Sequence, residues 1–171
     1  MKGDLNTLKK VCKYASIVMK IGEVVFGGLI IATVVMGAAA LFFDALEEAF
    51  YDWIGMKATD EMLKVVSMFI VTLNVFTLGY ITVRMIHDIM VSIKTEYTPF
   101  VPENAMRIKS ISMSFLFSSV LLLLFGSLAG LGVRELLFAF FGSLMVAVVM
   151  YCLTIVTRYG GLLQKESDET L

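Results

Sequence analysis

"SISMSFLFSSVLLLLFGSLAGLGV", residues 110–133, contains no Asp, Glu, Lys, Arg or His. An α-helix rises about 1.5 Å per residue, so roughly 20 such residues cross a hydrocarbon layer about 30 Å thick. Three further stretches meet the same condition, at 24–43, 65–83 and 136–157. A buried helix of a soluble bundle would be shorter and would carry a polar outer face. Composition agrees: the chain of 171 residues is 58% hydrophobic and 17% charged, against about 45–50% and about 25% for a soluble domain. The sequence therefore reads as an all-α integral membrane protein, a four-transmembrane-helix bundle. It forms one domain over 1–171, with spans at about 21–43, 64–84, 108–133 and 136–158.

The first run has a basic flank and an Ala38-Ala39-Ala40 stretch that imitates a leader-cleavage site. Its apolar part exceeds the roughly 7–15 residues of a leader, so it is read as a retained span. The basic residues then orient the chain. With four spans, the N-terminal segment, the loop between spans two and three, and the C-terminal tail share one side. That side holds Lys2, Lys9, Lys10, Lys13, Lys20, Arg84, Lys94, Arg107, Lys109, Arg158 and Lys165. The opposite side holds only Lys57, Lys64 and Arg134, beside Asp44, Glu47, Glu48, Asp52, Asp60, Glu61 and Glu135. Positively charged loops stay cytoplasmic, so the expected location is the plasma membrane, multi-pass, with both termini inside. A disulfide is not expected between Cys12 and Cys152 in that setting. Cys12 reads as a small apolar packing residue in preference to a lipidation site.

The flanking segments are more instructive. In 1–23, Leu5, Leu8, Cys12, Ala15 and Met19 recur at helical spacing between lysines, which predicts a helix lying at the inner surface and running into the first span. In the outer loop 44–64, Leu46, Phe50 and Trp53 share a face. They predict a short interfacial helix anchored by the single Trp and ended by Gly55. The segment "EYTPFVPENAMRIKS", 96–110, holds both prolines. A residue before proline is driven out of the α region, and proline suits the first turn of a helix. Helix two should therefore run past the membrane to about Lys94, and helix three should restart at Pro102, with Glu103 favourable at its positive end. The result is a cytoplasmic elbow. The tail offers Gly160 and Gly161 as a cap for span four, followed by Glu166, Asp168 and Glu169, and these acids are expected to draw the elbow's Arg107 and Lys109 toward them.

Chemistry-bearing patterns are scarce. One His and two Cys cannot supply the four ligands of a structural zinc site, and no phosphate-binding glycine loop, nucleophile elbow or zincin helix occurs. No enzyme activity, cofactor, metal or direct nucleic-acid contact is expected. His87-Asp88 reads as a surface or salt-bridged pair, and the scattered methionines as packing. Two polar stripes stand out within the spans. Ser67, Asn74, Thr77, Arg84 and Asp88 fall on one arc of helix two, and Arg107, Ser110, Ser114 and Ser118 on one face of helix three. They read as interhelical glue, with a polar pocket as the alternative. No ionisable group lies deep in a span, whereas ion-coupled transport usually shows one. Gly126 and Gly130 form a GxxxG spacing that favours close helix contact and leaves a homo-oligomer open.

"TPFVPENAMRIKSI" and "YGGLLQKESDETL" together resemble the small four-span proteins of bacteria and archaea grouped as domain-of-unknown-function family 2975. The matching positions are Pro99, Phe100, Asn104, Arg107, Leu163, Gln164, Asp168 and Glu169. The resemblance implies an integral membrane protein without assigned activity, often encoded beside a small helix-turn-helix regulator. The candidate interaction surface is accordingly Pro99, Phe100, Asn104, Arg107, Gln164, Asp168 and Glu169. The candidate intramembrane stripe is Ser67, Asn74, Thr77, Ser114 and Ser118. The leading function is a non-enzymatic regulatory or interaction role at the cytoplasmic face, with sequestration of such a regulator as its form. The alternative is a small transporter or a transporter's accessory subunit.

Overall fold

The computed structural model describes residues 2–57, 61–96 and 98–169, the side chains of 2–9, 44, 45 and 168 excepted. Five helices account for nearly all of it: α1 Lys2–Ala40, α2 Asp44–Ile54, α3 Met62–Glu96, α4 Pro102–Leu128 and α5 Val133–Glu169. α1, α3, α4 and α5 are long and apolar enough to cross a membrane. In hydrocarbon no water is present to satisfy backbone N–H and C=O groups, and a helix satisfies them within itself. At 39, 35 and 37 residues, α1, α3 and α5 are each more than about 50 Å long, well beyond a core of about 30 Å. The surplus lies at the same end of all three, where the basic residues cluster.

The long helices stand in a row, α1–α3–α4–α5, with α2 resting on α1 and α3; among the described residues α1 meets neither α4 nor α5. The bundle is thus open, and two faces of the row are left for lipid. Its interior mixes small polar residues with apolar ones such as Ile54, Val71 and Ile111. Thr33, Ser67, Ser112, Ser118, Ser119, Ser143 and Thr154 are buried, while Leu116, Phe117, Leu124, Phe138 and Val156 are exposed. Lipid is as apolar as leucine, so burying leucine between spans gains little, and small residues that let backbones approach are favoured instead. Ser112 Oγ donates to the Ala147 carbonyl at 2.7 Å and Ser143 Oγ to the Phe115 carbonyl at 2.9 Å, stitching α4 to α5 in both directions. Between α1 and α3 the close approach is made by glycine. A Cβ on Gly79 would lie 2.5 Å from the Phe26 ring, and one on Gly22 would lie 3.0 Å from Val83.

Several expectations change. α1 is one unbroken helix, so residues 2–23 continue the axis of the span and do not turn to lie along the surface. Leu5 and Leu8 fall outside the described side chains. A surface-lying segment would need a break before the span, and no Pro or tight turn supplies one. Cys12 is buried, which fits a packing residue.

The α2 helix forms where expected and ends as expected. Gly55 takes φ 74°, a left-handed conformation that glycine adopts without steric cost. The Gly55 N–H reaches the Asp52 carbonyl at 3.2 Å and the Met56 N–H the Tyr51 carbonyl at 2.8 Å, a Schellman closure. The helix packs on α1 and α3. Phe50 and Ile54 are the buried residues, and Leu46 faces out. Trp53 Nε1 donates to Thr33 Oγ1 at 3.0 Å, and Thr33 itself donates to the Leu29 carbonyl at 2.8 Å. Thr33 lies about 10 Å along the axis from the end of α1 at Ala40. α2 therefore folds back beside α1 and α3, held by Trp53–Phe76 and Phe50–Phe69 ring contacts with centroids 6.4 and 5.8 Å apart.

The two glycines of the tail do not cap α5, which runs on through them to Glu169. The GxxxG spacing is also not one helix face. Gly126 packs under Leu136 of the next helix, and Gly130 sits in the connecting turn at φ 80°.

The Gly79 notch gives a direct test. Gly79→Ala should cost about 1–3 kcal/mol by overpacking against Phe26. In a Phe26→Ala background that cost should fall below about 0.5 kcal/mol, because the clash is gone. Unfolding in mixed micelles measures both; simple additivity would place the contact elsewhere.

Candidate functional site

The elbow between α3 and α4 is where chain direction, charge and packing converge. Val101 is extended, φ −86° and ψ 145°, and Pro102 opens α4 with Glu103 in its first turn. This is the geometry that the two prolines impose. The Val101 carbonyl then accepts from the N–H groups of Asn104 and Ala105 at 3.1 and 3.3 Å.

Asn104 is fully buried and acts as the hub. Its Nδ2 donates to the Pro99 carbonyl at 3.3 Å, and its Oδ1 accepts from the Arg107 guanidinium at 2.9 Å. The same Arg107 nitrogen reaches the Asp88 carbonyl on α3 at 3.4 Å. His87 Nδ1 and Asp88 Oδ1 are 3.2 Å apart beside it. The start of α4 is thereby tied both to its own turn and to the extension of α3. A buried amide costs free energy unless its hydrogen-bonding groups are matched, and Asn104 uses both ends of its side chain.

The third attachment is to α5. Thr98 Oγ1 donates to Gln164 Oε1 at 3.0 Å and accepts from the Phe100 N–H at 3.2 Å. Phe100 lies directly on Gly160 and Gly161. A Cβ on Gly160 would be 2.5 Å from the Phe100 ring, and one on Gly161 would be 2.8 Å from the Phe100 carbonyl oxygen. The glycine pair is a notch for the elbow. Elbow and tail do meet, through ring packing of Phe100 and the neutral Thr98–Gln164 hydrogen bond. Arg107 turns toward Asn104 and α3, away from the acidic tail.

Of the predicted surface, Pro99, Phe100, Asn104, Arg107 and Gln164 come together. Glu169 stands at the margin of a recess shared with Thr98 and Phe100 and pairs with Lys165 at 3.7 Å along α5. The Asp168 side chain lies outside the described residues. Beside the elbow, between α3 and α4, opens a cavity of about 560 Å³ lined by His87, Asp88, Ser92, Glu96, Glu103 and Arg107. Among the described residues, no group of three or more His, Cys, Asp and Glu side chains is placed to hold a metal ion.

The intramembrane stripe divides. Ser67 and Ser118 are buried, and Asn74 Nδ2 donates to Ser118 Oγ at 2.8 Å across the α3–α4 contact. Asn74, Thr77 and Ser114 line a recess of about 360 Å³ with Leu73 and Phe117. Arg84 is instead placed 3.5 Å from the Tyr80 hydroxyl. Sequence periodicity found the stripe but missed Thr33, Ser112 and Ser143. Thr33 and Ser143 are lone polar residues in apolar runs, and Ser112 lies off the face shared by Ser110, Ser114 and Ser118, so only the partner contact reveals each role.

No family model, curated protein or solved structure matches the chain.

A double-mutant cycle on Asn74→Leu and Ser118→Ala should give a coupling of about 0.6 kcal/mol and not above about 1.7 kcal/mol, with insertion preserved. Zero coupling would mean that the bond contributes nothing to the packing of α3 on α4.

Proposed function

We propose that this chain is a non-enzymatic, multi-pass protein of the plasma membrane that binds a soluble cytoplasmic protein through its elbow. The supporting observation is the elbow itself. Three helices fix one short connector, and a charged cavity of about 560 Å³ opens beside it. Asp88, Glu96 and Glu103 line that cavity together with Arg107 and His87. An acidic recess suits a basic partner surface, because complementary charge steers encounter and selects the partner. The DNA-contacting face of a small helix-turn-helix regulator is basic, and covering that face would sequester it. The resemblance to family 2975 points to the same partner class by analogy. The charge distribution supports an orientation with the elbow and both termini in the cytoplasm.

A transport role has one observation in its favour, the recess at Asn74, Thr77 and Ser114. Asn74 there is already engaged by Ser118, and no ionisable residue lines the recess.

Orientation is tested with single cysteines at Glu61 and Glu169, in a chain lacking Cys12 and Cys152. An impermeant maleimide applied to intact cells should label the first and spare the second; the reverse pattern would invert the assignment. The interaction is tested by purification from native membranes. The native chain should retain a soluble protein that Glu96→Lys/Glu103→Lys loses. Retention equal in both would remove the acidic recess as the contact.

A further inference from the structure

A second groove lies on the other side of the elbow, between the start of α4 and α5. Its volume is about 500 Å³, and its walls include Phe100, Pro102, Met106 and Leu162, with Arg158 and Lys165 along one side. We propose that it binds an anionic phospholipid of the inner leaflet, with the phosphate between Arg158 and Lys165 and an acyl chain against Met106 and Thr157. The proposal rests on the membrane placement of the four helices and not on any protein partner.

Depth carries the first part of the inference. Thr157 is the last residue of the charge-free run of α5, and Arg158 is the first charge after it. The groove begins at that boundary and follows α5 to Lys165, about 10 Å further along the axis. It therefore extends from the edge of the hydrocarbon into the headgroup layer. A soluble ligand would have to enter that layer to use it, whereas a phospholipid already has its polar and apolar parts at these depths.

Charge carries the second part. Arg158 makes no hydrogen bond or ion pair among the described residues. Among the described residues Lys165 pairs with Glu169, one turn away, at 3.7 Å, and both side chains are largely exposed. An exposed pair of that kind is weak and leaves the ammonium free to reach an anion. Both cations follow α5 on the face that carries Leu162. Arginine presents a planar fork that matches phosphate oxygens, and lysine acts as a compact point charge.

Shape carries the third. Gly161 forms part of the floor, where a Cβ would come within 2.8 Å of the Phe100 carbonyl oxygen. The glycine pair seats Phe100 on α5 and so sets the depth and rear wall of the groove. The same contact that fixes the elbow forms the site.

The test uses the full chain in a neutral detergent with three additions: phosphatidylglycerol, phosphatidylcholine of the same acyl chains, and free glycerol 3-phosphate. Native mass spectrometry reads bound lipid, and thermal unfolding reads stabilisation. Phosphatidylglycerol should be retained and should raise the melting temperature, and neither other addition should. Each cation near anionic lipid is worth about a fivefold preference, so Arg158→Gln/Lys165→Gln should lower phosphatidylglycerol affinity by about 25-fold. Arg158→Lys should recover part of that loss. The pair Lys10→Gln/Lys13→Gln removes equal charge elsewhere and should leave affinity unchanged. Equal retention of both lipids, binding of glycerol phosphate alone, or equal loss in the two double variants would each overturn the proposal. A groove occupied by a co-purifying peptide and indifferent to lipid would overturn it as well.

Discussion

Close approach between helices is the constraint on which this molecule depends. Inside a bilayer the hydrophobic effect no longer draws apolar side chains together, so spans associate through packing and short polar contacts. Gly79 under Phe26, Gly126 under Leu136 and Gly160 under Phe100 are the same solution at three heights. Serine hydroxyls donating to carbonyls of the neighbouring helix add direction to that packing. Small residues line the helix contacts, and many of the large apolar side chains face outward. With the helices in a row, a long contact is needed only between neighbours, and the two inner helices, α4 and then α3, are the most buried of the spans.

The four apolar helices, the length of α3, the start of α4 at Pro102 and the stop at Gly55 were legible because each is written locally. A charge-free run, a proline or a left-handed glycine acts on its own stretch of backbone. Errors arose where the same local signal has two uses. Gly160 and Gly161 have the composition of a helix end and of a notch alike, and only Phe100, far away in sequence, decides between them. Trp53 reads as an interfacial anchor because Trp is enriched at interfaces, yet Thr33 offers its indole N–H an acceptor deeper along α1. Pro99, Phe100, Asn104, Arg107 and Gln164 were found as a group, but the bonds joining them were not. Charge arithmetic directed Arg107 at the tail, whereas the buried Asn104 carbonyl holds it.

Neutral contacts hold the elbow to α5, and this makes physical sense at that position. An ion pair between elbow and tail would lie in water or among headgroups, where salt and competing lipid charges screen it. Ring packing on glycine is indifferent to both. Charges are thereby left for other uses. The carboxylates face one cavity and two cations face another, with Phe100 and Asn104 between them.

That arrangement has a thermodynamic consequence. Residues 98–101 are the short connector from which both cavities are built, pinned on one side by Asn104 to Pro99 and on the other by Thr98 to Gln164. A ligand can shift such an element only to the extent that it binds two positions of the connector unequally. Coupling of that kind is reciprocal: whatever a ligand in the acidic cavity does to the groove, a ligand in the groove does to the cavity. The Phe100 ring is confined by the notch at contact distance, so a substitution at Gly160 displaces the connector before it alters either set of charges. Gly160→Ala therefore changes the geometry of both sites at once while leaving every ionisable residue in place. A charge substitution at Glu96 or Lys165 lacks that property, because among the described residues neither side chain is bonded to the connector.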